Sequence, residues 1–166
     1  MAVKQKKVHE IGALGEGGVP RSAQCAVGYP AISRRQDHAN CIACRPGGEG
    51  GLALKFDLQP DGSVSGVFAC DSFYQGYEGC LHGGVIALLL DAAMMNCLAT
   101  RGISGVTIRL NIQYRQPVEV DATAAIRAWI IHESSVLQLR AELRQQGRLC
   151  AAAEGVFIAQ KEGWPP

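Results

Sequence analysis

The chain has 166 residues, 48% of them apolar and 19% charged, with a formal net charge of +1. That length holds one domain with a real core and is short for two. Near neutrality, with only Lys4, Lys6 and Lys7 clustered and those at one end, excludes the basic stripe that nucleic acid would need and predicts no such partner.

Residues 1–50 contain Gly15, Gly17, Gly18, Pro20, Gly28, Pro30, Pro46, Gly47 and Gly48. So many breakers allow no sustained period, which predicts a loop-rich extension ahead of one domain over 51–166. Within it, His38, Cys41 and Cys44 are spaced like part of a zinc site, but a closed structural site takes four ligands and no second pair follows. Thiols without metal are therefore expected. Seven cysteines at irregular spacing, with no apolar run behind the first lysines, predict reduced thiols and a cytoplasmic location.

Leu52, Leu54, Phe56 and Leu58 alternate with Ala53, Lys55 and Asp57, as in a half-buried strand. Pro60-Asp61-Gly62 supplies a turn, and 63–70 reads as the returning strand of a hairpin. A glycine-punctuated loop over 73–79 leads into an apolar helix from about Gly84 to Thr100, closed by Gly102. The helix approaches membrane-spanning length, yet Asp91 inside it makes a bilayer costly, and burial on all sides within a protein core is the expectation. Period-two segments follow. Val106, Ile108, Leu110, Ile112 and Tyr114 share one expected face, and Thr107, Arg109, Asn111, Gln113 and Arg115 the other. Further alternating segments run from Val118 to Ile130, from Leu137 to Arg144 and from Leu149 to Ile158. One long apolar helix and antiparallel strands with one apolar face each bury the other. An α+β hotdog fold, with the antiparallel sheet wrapped around a long central helix, is predicted.

The stretch from Phe73 to Met94, with His82-Gly83-Gly84 opening the helix and Asp91 nine positions after the histidine, resembles the signature of PaaI-like hotdog thioesterases. The strand 107–117, ending in Tyr114-Arg115-Gln116-Pro117, is similar to that family's Tyr-x-x-Pro strand. The resemblance covers roughly 50–160. It implies an acyl-CoA thioesterase that works without a metal or other cofactor, as a homodimer or a dimer of dimers. There are departures. Asp91 is followed by Ala92 where many relatives have a second acidic residue, and Gly76, beside Gln75, stands where several carry an asparagine. In the branch resembling mammalian thioesterase superfamily members, a threonine after the helix is implicated, and its spacing maps onto Thr107.

The residues support the same chemistry. A carboxylate among Leu90, Ala92, Met94 and Met95 is desolvated, which raises its pKa and suits a general base or a nucleophile; a structural aspartate satisfied by hydrogen bonds is the competing reading. Gly83 and Gly84 admit a ligand to free N–H groups at the helix start, an oxyanion hole for a thioester carbonyl, with His82 and Gln75 beside it. Thr107 poses a conflict, since it falls on the polar face: either that face borders a cleft between subunits, or a bulge near Gly105 turns the strand. Eight residues separate Gly83 from Asp91, about 12 Å along one helix, too far to serve one carbonyl. Two antiparallel helices across a twofold axis can do so, which predicts active sites shared between subunits. A non-catalytic module that binds acyl-CoA is the alternative; a hydratase or dehydratase would need a different loop context for its histidine and aspartate.

Overall fold

The computed structural model describes residues 40–46 and 50–160. Period-two burial organises them. In β2 (Val64–Cys70), β6 (Ala122–Glu133), β7 (Leu137–Gln145) and β8 (Arg148–Ala159) buried and exposed side chains largely alternate. These strands form one antiparallel sheet with β1 (Asp57–Leu58) and β5 (Gly105–Tyr114), in the order β1-β2-β6-β7-β8-β5. Two short strands, β3 (Gln75–Tyr77) and β4 (Cys80–Leu81), pair beside it.

The strand expected over 52–58 joins the ladder only at Asp57 and Leu58. Its earlier residues bond elsewhere: Leu52 N–H donates to Ile42 O (2.8 Å) and Leu54 N–H to Ala43 O (2.9 Å), while Ala53 takes a φ of 51°. The alternation survives, with Leu54 and Phe56 buried and Ala53 and Lys55 exposed. Residues 1–39 and 47–49 of the expected extension, and 161–166 at the other end, lie outside the described residues. Its end near Cys41 packs on the domain, where Ala43 and Cys44 are buried in the common core.

The one long helix among the described residues, α1 (Gly83–Ala99), lies on the apolar face of the sheet. Leu89, Leu90, Met94 and Leu98 are fully buried, as are Val64, Ile126, Leu139, Leu143 and Phe157 of the strands. The approach is close enough at β8 that a Cβ on Gly155 would stand 2.9 Å from Met94 Sδ and 2.5 Å from the Phe157 ring. A side chain there would have to displace the Phe157 ring and the end of Met94. The helix ends at Ala99, and the chain turns away at Gly102, whose φ of 71° few other residues tolerate. No helix among the described residues is long and apolar enough to cross a membrane.

The opposite face of the sheet is solvated and charged, with Arg140 bonded to Glu154 across β7 and β8 and Arg144 to Glu142 along β7. Exposed pairs of this kind contribute little to stability. Their effect is to leave the sheet one buried face only.

Two expectations about burial change. First, α1 is not buried on all sides by its own chain: Gly84, Ala87, Leu88, Asp91 and Met95 form a partly exposed stripe, while Ile86, Leu89, Leu90, Ala93, Met94, Cys97 and Leu98 face the core. Second, the expected faces of β5 break at a bulge. Thr107 pairs with Phe157 and Arg109 with Val156, so Ile108 is an extra residue with no rung of its own. Beyond it, Leu110, Ile112 and Tyr114 stand opposite Gly155, Ala153 and Ala151 on the helix side, as expected. Before it the phase is reversed. Thr107, opposite Phe157, faces the helix, and Val106, opposite Ile158, does not share the face of Leu110.

Candidate active site

The chain enters α1 through a tightly bonded turn. β4 is held by Leu81 N–H donating to Val118 O (2.8 Å) and by Val120 N–H donating to Gly79 O (3.1 Å). His82 N–H then donates to Tyr74 O (2.9 Å), and His82 becomes the helix N-cap, its extended ψ of 133° setting the entry angle. The ring serves as the cap: Nδ1 accepts the Gly84 N–H at 2.9 Å. An accepting Nδ1 carries no proton, so this neutral ring holds its hydrogen on Nε2. His82 O accepts from both Val85 and Ile86. Of the first helical donors, Gly83 N–H alone has no partner among the described residues. It points out of the helix start with the dipole behind it.

The two glycines thus differ. Gly84's N–H is committed to His82, and a Cβ there would press the imidazole at 3.0 Å. At Gly83 a Cβ would meet only the Tyr114 ring, at 3.6–3.8 Å, an ordinary contact. Gly76 has its own cause: a Cβ would lie 3.1 Å from His82 Cδ2 and 3.2 Å from its Cα, so the loop closes on the histidine because no side chain intervenes. Gln75, on the same loop, turns its Oε1 to the Gly79 N–H (3.3 Å) and closes the β3–β4 turn.

Asp91 sits two helical turns further on, in the middle of the uncovered stripe and half-buried. Burial pushes its carboxyl above the ordinary carboxylate value, and a hydrogen bond from Thr107 opposes that rise. Thr107 Oγ1 donates to Asp91 Oδ1 at 2.8 Å. Oδ2 has no partner among the described residues. The Ile108 bulge therefore resolves the conflict over Thr107 by turning it onto the helix, one of the two ways open to it. The structure brings together Asp91 with Thr107, and Gly83 with Gly84 and His82. It keeps the two groups apart along one continuous helix.

Sequence reasoning missed two residues that support the helix entrance. Tyr114 Oη donates to Gly83 O at 3.0 Å. Gln145, 1% exposed, clamps the Glu119 backbone with both ends of its amide, at 2.8 Å each. Glu119 bridges to Cys80 of β4, one step from the helix entrance. A lone tyrosine or glutamine in an alternating strand carries no signal of such a contact. In the His38-Cys41-Cys44 cluster, His38 lies outside the described residues, while Cys41 is half-buried and Cys44 buried.

A helix start with an unpaired donor and a desolvated carboxylate on the same helix can be compared with known proteins. The model of a family described as the thioesterase superfamily matches residues 78–152, which include both features. The acyl-coenzyme A thioesterase THEM4 of Bos taurus is 30% identical over 95 residues, 55% of this chain; the match spans only 39% of that relative's length. A variant of the phenylacetic acid degradation protein PaaI from Thermus thermophilus superposes with a TM-score of 0.60 at 26% identity, over 66% of this chain and 95% of that one. A hypothetical thioesterase protein with coenzyme A from Streptococcus pneumoniae shares the fold, with a TM-score of 0.61 at 21% identity, over 64% of this chain and 88% of that one. The sheet wrapped on one central helix is the hotdog fold of these structures, and over 78–152 the chain is similar to the thioesterase superfamily.

Proposed function

We propose that this protein hydrolyses an acyl-CoA thioester to free CoA and a carboxylic acid, in sites shared between two copies of the chain. The observation that carries the reading is the half-buried Asp91, held by Thr107 on a helix stripe that its own chain leaves uncovered. A carboxylate so placed on a partly apolar stripe suits proton abstraction better than structure. The unpartnered Gly83 N–H supports it, since a single preorganised donor aimed at a carbonyl oxygen stabilises the charge that develops there. The named activity of the bovine relative and the coenzyme A in the streptococcal structure support the substrate class.

Asp91 takes a proton from water, and the oxygen adds to the thioester carbonyl carbon. The negative charge moves to the carbonyl oxygen, facing the Gly83 N–H of the second copy. Collapse expels CoA as thiolate, which recovers a proton. Direct attack by Asp91 Oδ2 followed by hydrolysis of the resulting anhydride gives the same products, and the unengaged oxygen serves either route. Eight helical residues separate Gly83 from Asp91, so the donor and base of one carbonyl come from different chains. The stripe beside Asp91 and the outer edge of β5, a ten-residue strand that among the described residues pairs only with β8, are the surfaces a second copy would cover. His82 and Gly84 shape the turn, Gln75 closes the adjoining loop, and Thr107 orients the carboxylate. Cys70, Cys97 and Cys150, buried as free thiols, suit a cytoplasmic setting.

The test is thiol release from short, medium, long and aromatic acyl-CoAs. At least one should be cleaved, and Asp91→Asn should keep the fold while lowering turnover at least about a hundredfold. Binding of acyl-CoA with no cleavage of any would replace the enzyme with the non-catalytic module.

A further inference from the structure

Strand β5 touches α1 at both positions that the proposed reaction uses. Near its start, Thr107 donates to Asp91; at its end, Tyr114 donates to the carbonyl of Gly83. In an unbroken strand, residues 107 and 114 would point to opposite faces, since their separation is odd. The extra residue Ile108 puts both on the helix side. The Tyr114 ring also lies along Gly83, where an added Cβ would be 3.6–3.8 Å from Cε1, Cζ and Oη. Yet the residue is 54% exposed, so its burial is not what the fold needs from it.

We infer that Tyr114 is a positioning residue for the Gly83 turn, fixing the direction of the free Gly83 N–H as Thr107 fixes Asp91. The inference rests on the proposed thioesterase reading and names a residue that reading does not require. Its physical basis is local. The first turn of a helix has few hydrogen bonds and frays readily. Here the Gly83 carbonyl, one Cα away from the peptide plane that carries the Gly83 N–H, is tied down by a phenol rooted in a ten-residue strand. Because a hydrogen-bond donor must meet the forming oxyanion within a few tenths of an ångström, a loosened turn lowers kcat before it weakens binding.

The test uses the full chain with Tyr114→Phe, which removes one exposed oxygen and keeps the ring. The variant should retain the melting temperature and oligomeric state, with kcat down about tenfold and KM within about twofold. A second readout reports on the donor directly. In the Asp91→Asn background, where turnover is blocked, the best-cleaved acyl-CoA of the panel is bound with a ¹³C-labelled carbonyl. Its infrared stretch should be lowered relative to solution, and adding Tyr114→Phe should move it back toward the solution value. An unchanged kcat, or a lower kcat with an unmoved carbonyl band, overturns the role of Tyr114 while leaving the thioesterase reading intact. Failure of the wild-type protein to cleave any acyl-CoA overturns that reading, and this inference with it.

Discussion

Asp91 combines two opposed requirements. Burial raises its pKa, which means that the folded chain binds a proton more tightly than the unfolded one. Stability must therefore fall as pH rises from the unperturbed aspartate value, about 3.9, through the raised folded value. The proposed activity has the opposite sign, because a base or a nucleophile at Asp91 needs the carboxylate. Asp91→Asn should accordingly melt higher than wild type at pH 7, with the difference shrinking toward pH 4; a constant difference across that range would mean that desolvation of the charge is not the cause. Gly83 offers a cleaner probe than its position at a helix entrance suggests. It is the first helical residue, its N–H has no partner among the described residues, and the preceding His82 is extended, which are the conditions a proline accepts. Gly83→Pro removes the donor and little else.

At the level of elements, β5 and α1 form the working pair, and the bulge sets their phase. Thr107–Phe157 and Arg109–Val156 would be successive rungs of a regular ladder if Ile108 were absent. Deleting Ile108 should therefore leave Thr107 facing Asp91, with the 106–158 and 105–159 pairs undisturbed. The expected product is folded, has acyl-CoA cleavage within about tenfold of wild type, and shows an unbroken β5–β8 ladder in cross-strand NMR contacts. Loss of activity in a folded deletion, matching that of Thr107→Val, would show that the bulge itself, and not the ladder, aims the hydroxyl.

The whole molecule is tested by complementation. Asp91→Asn lacks the proposed base and Gly83→Pro the proposed donor, so each homodimer has two broken sites. In a mixed dimer one site carries both defects and the other neither. Random reassociation makes half the dimers mixed, each with one of two sites intact, and restores about a quarter of wild-type turnover. Inactive mixed dimers, with both parents folded and dimeric, would place donor and base on the same chain.

Much of this was legible in the residues. Alternation in 118–130, 137–144 and 149–158 specifies half-buried strands, because side chains on a pleated backbone must face opposite ways. An apolar run carrying one carboxylate specifies a helix on that sheet, and His82-Gly83-Gly84 specifies its entrance. Those are local rules, readable without knowing what the chain touches. The side of β5 that Thr107 occupies was not readable, since one unpaired residue inverts every face upstream of it and the patterns on either side look continuous. Nor were the partners of Tyr114 and Gln145, which meet Gly83 and Glu119 across 31 and 26 residues of chain. Contacts at that distance arise when the sheet closes on the helix, and packing selects them after local preferences have been spent.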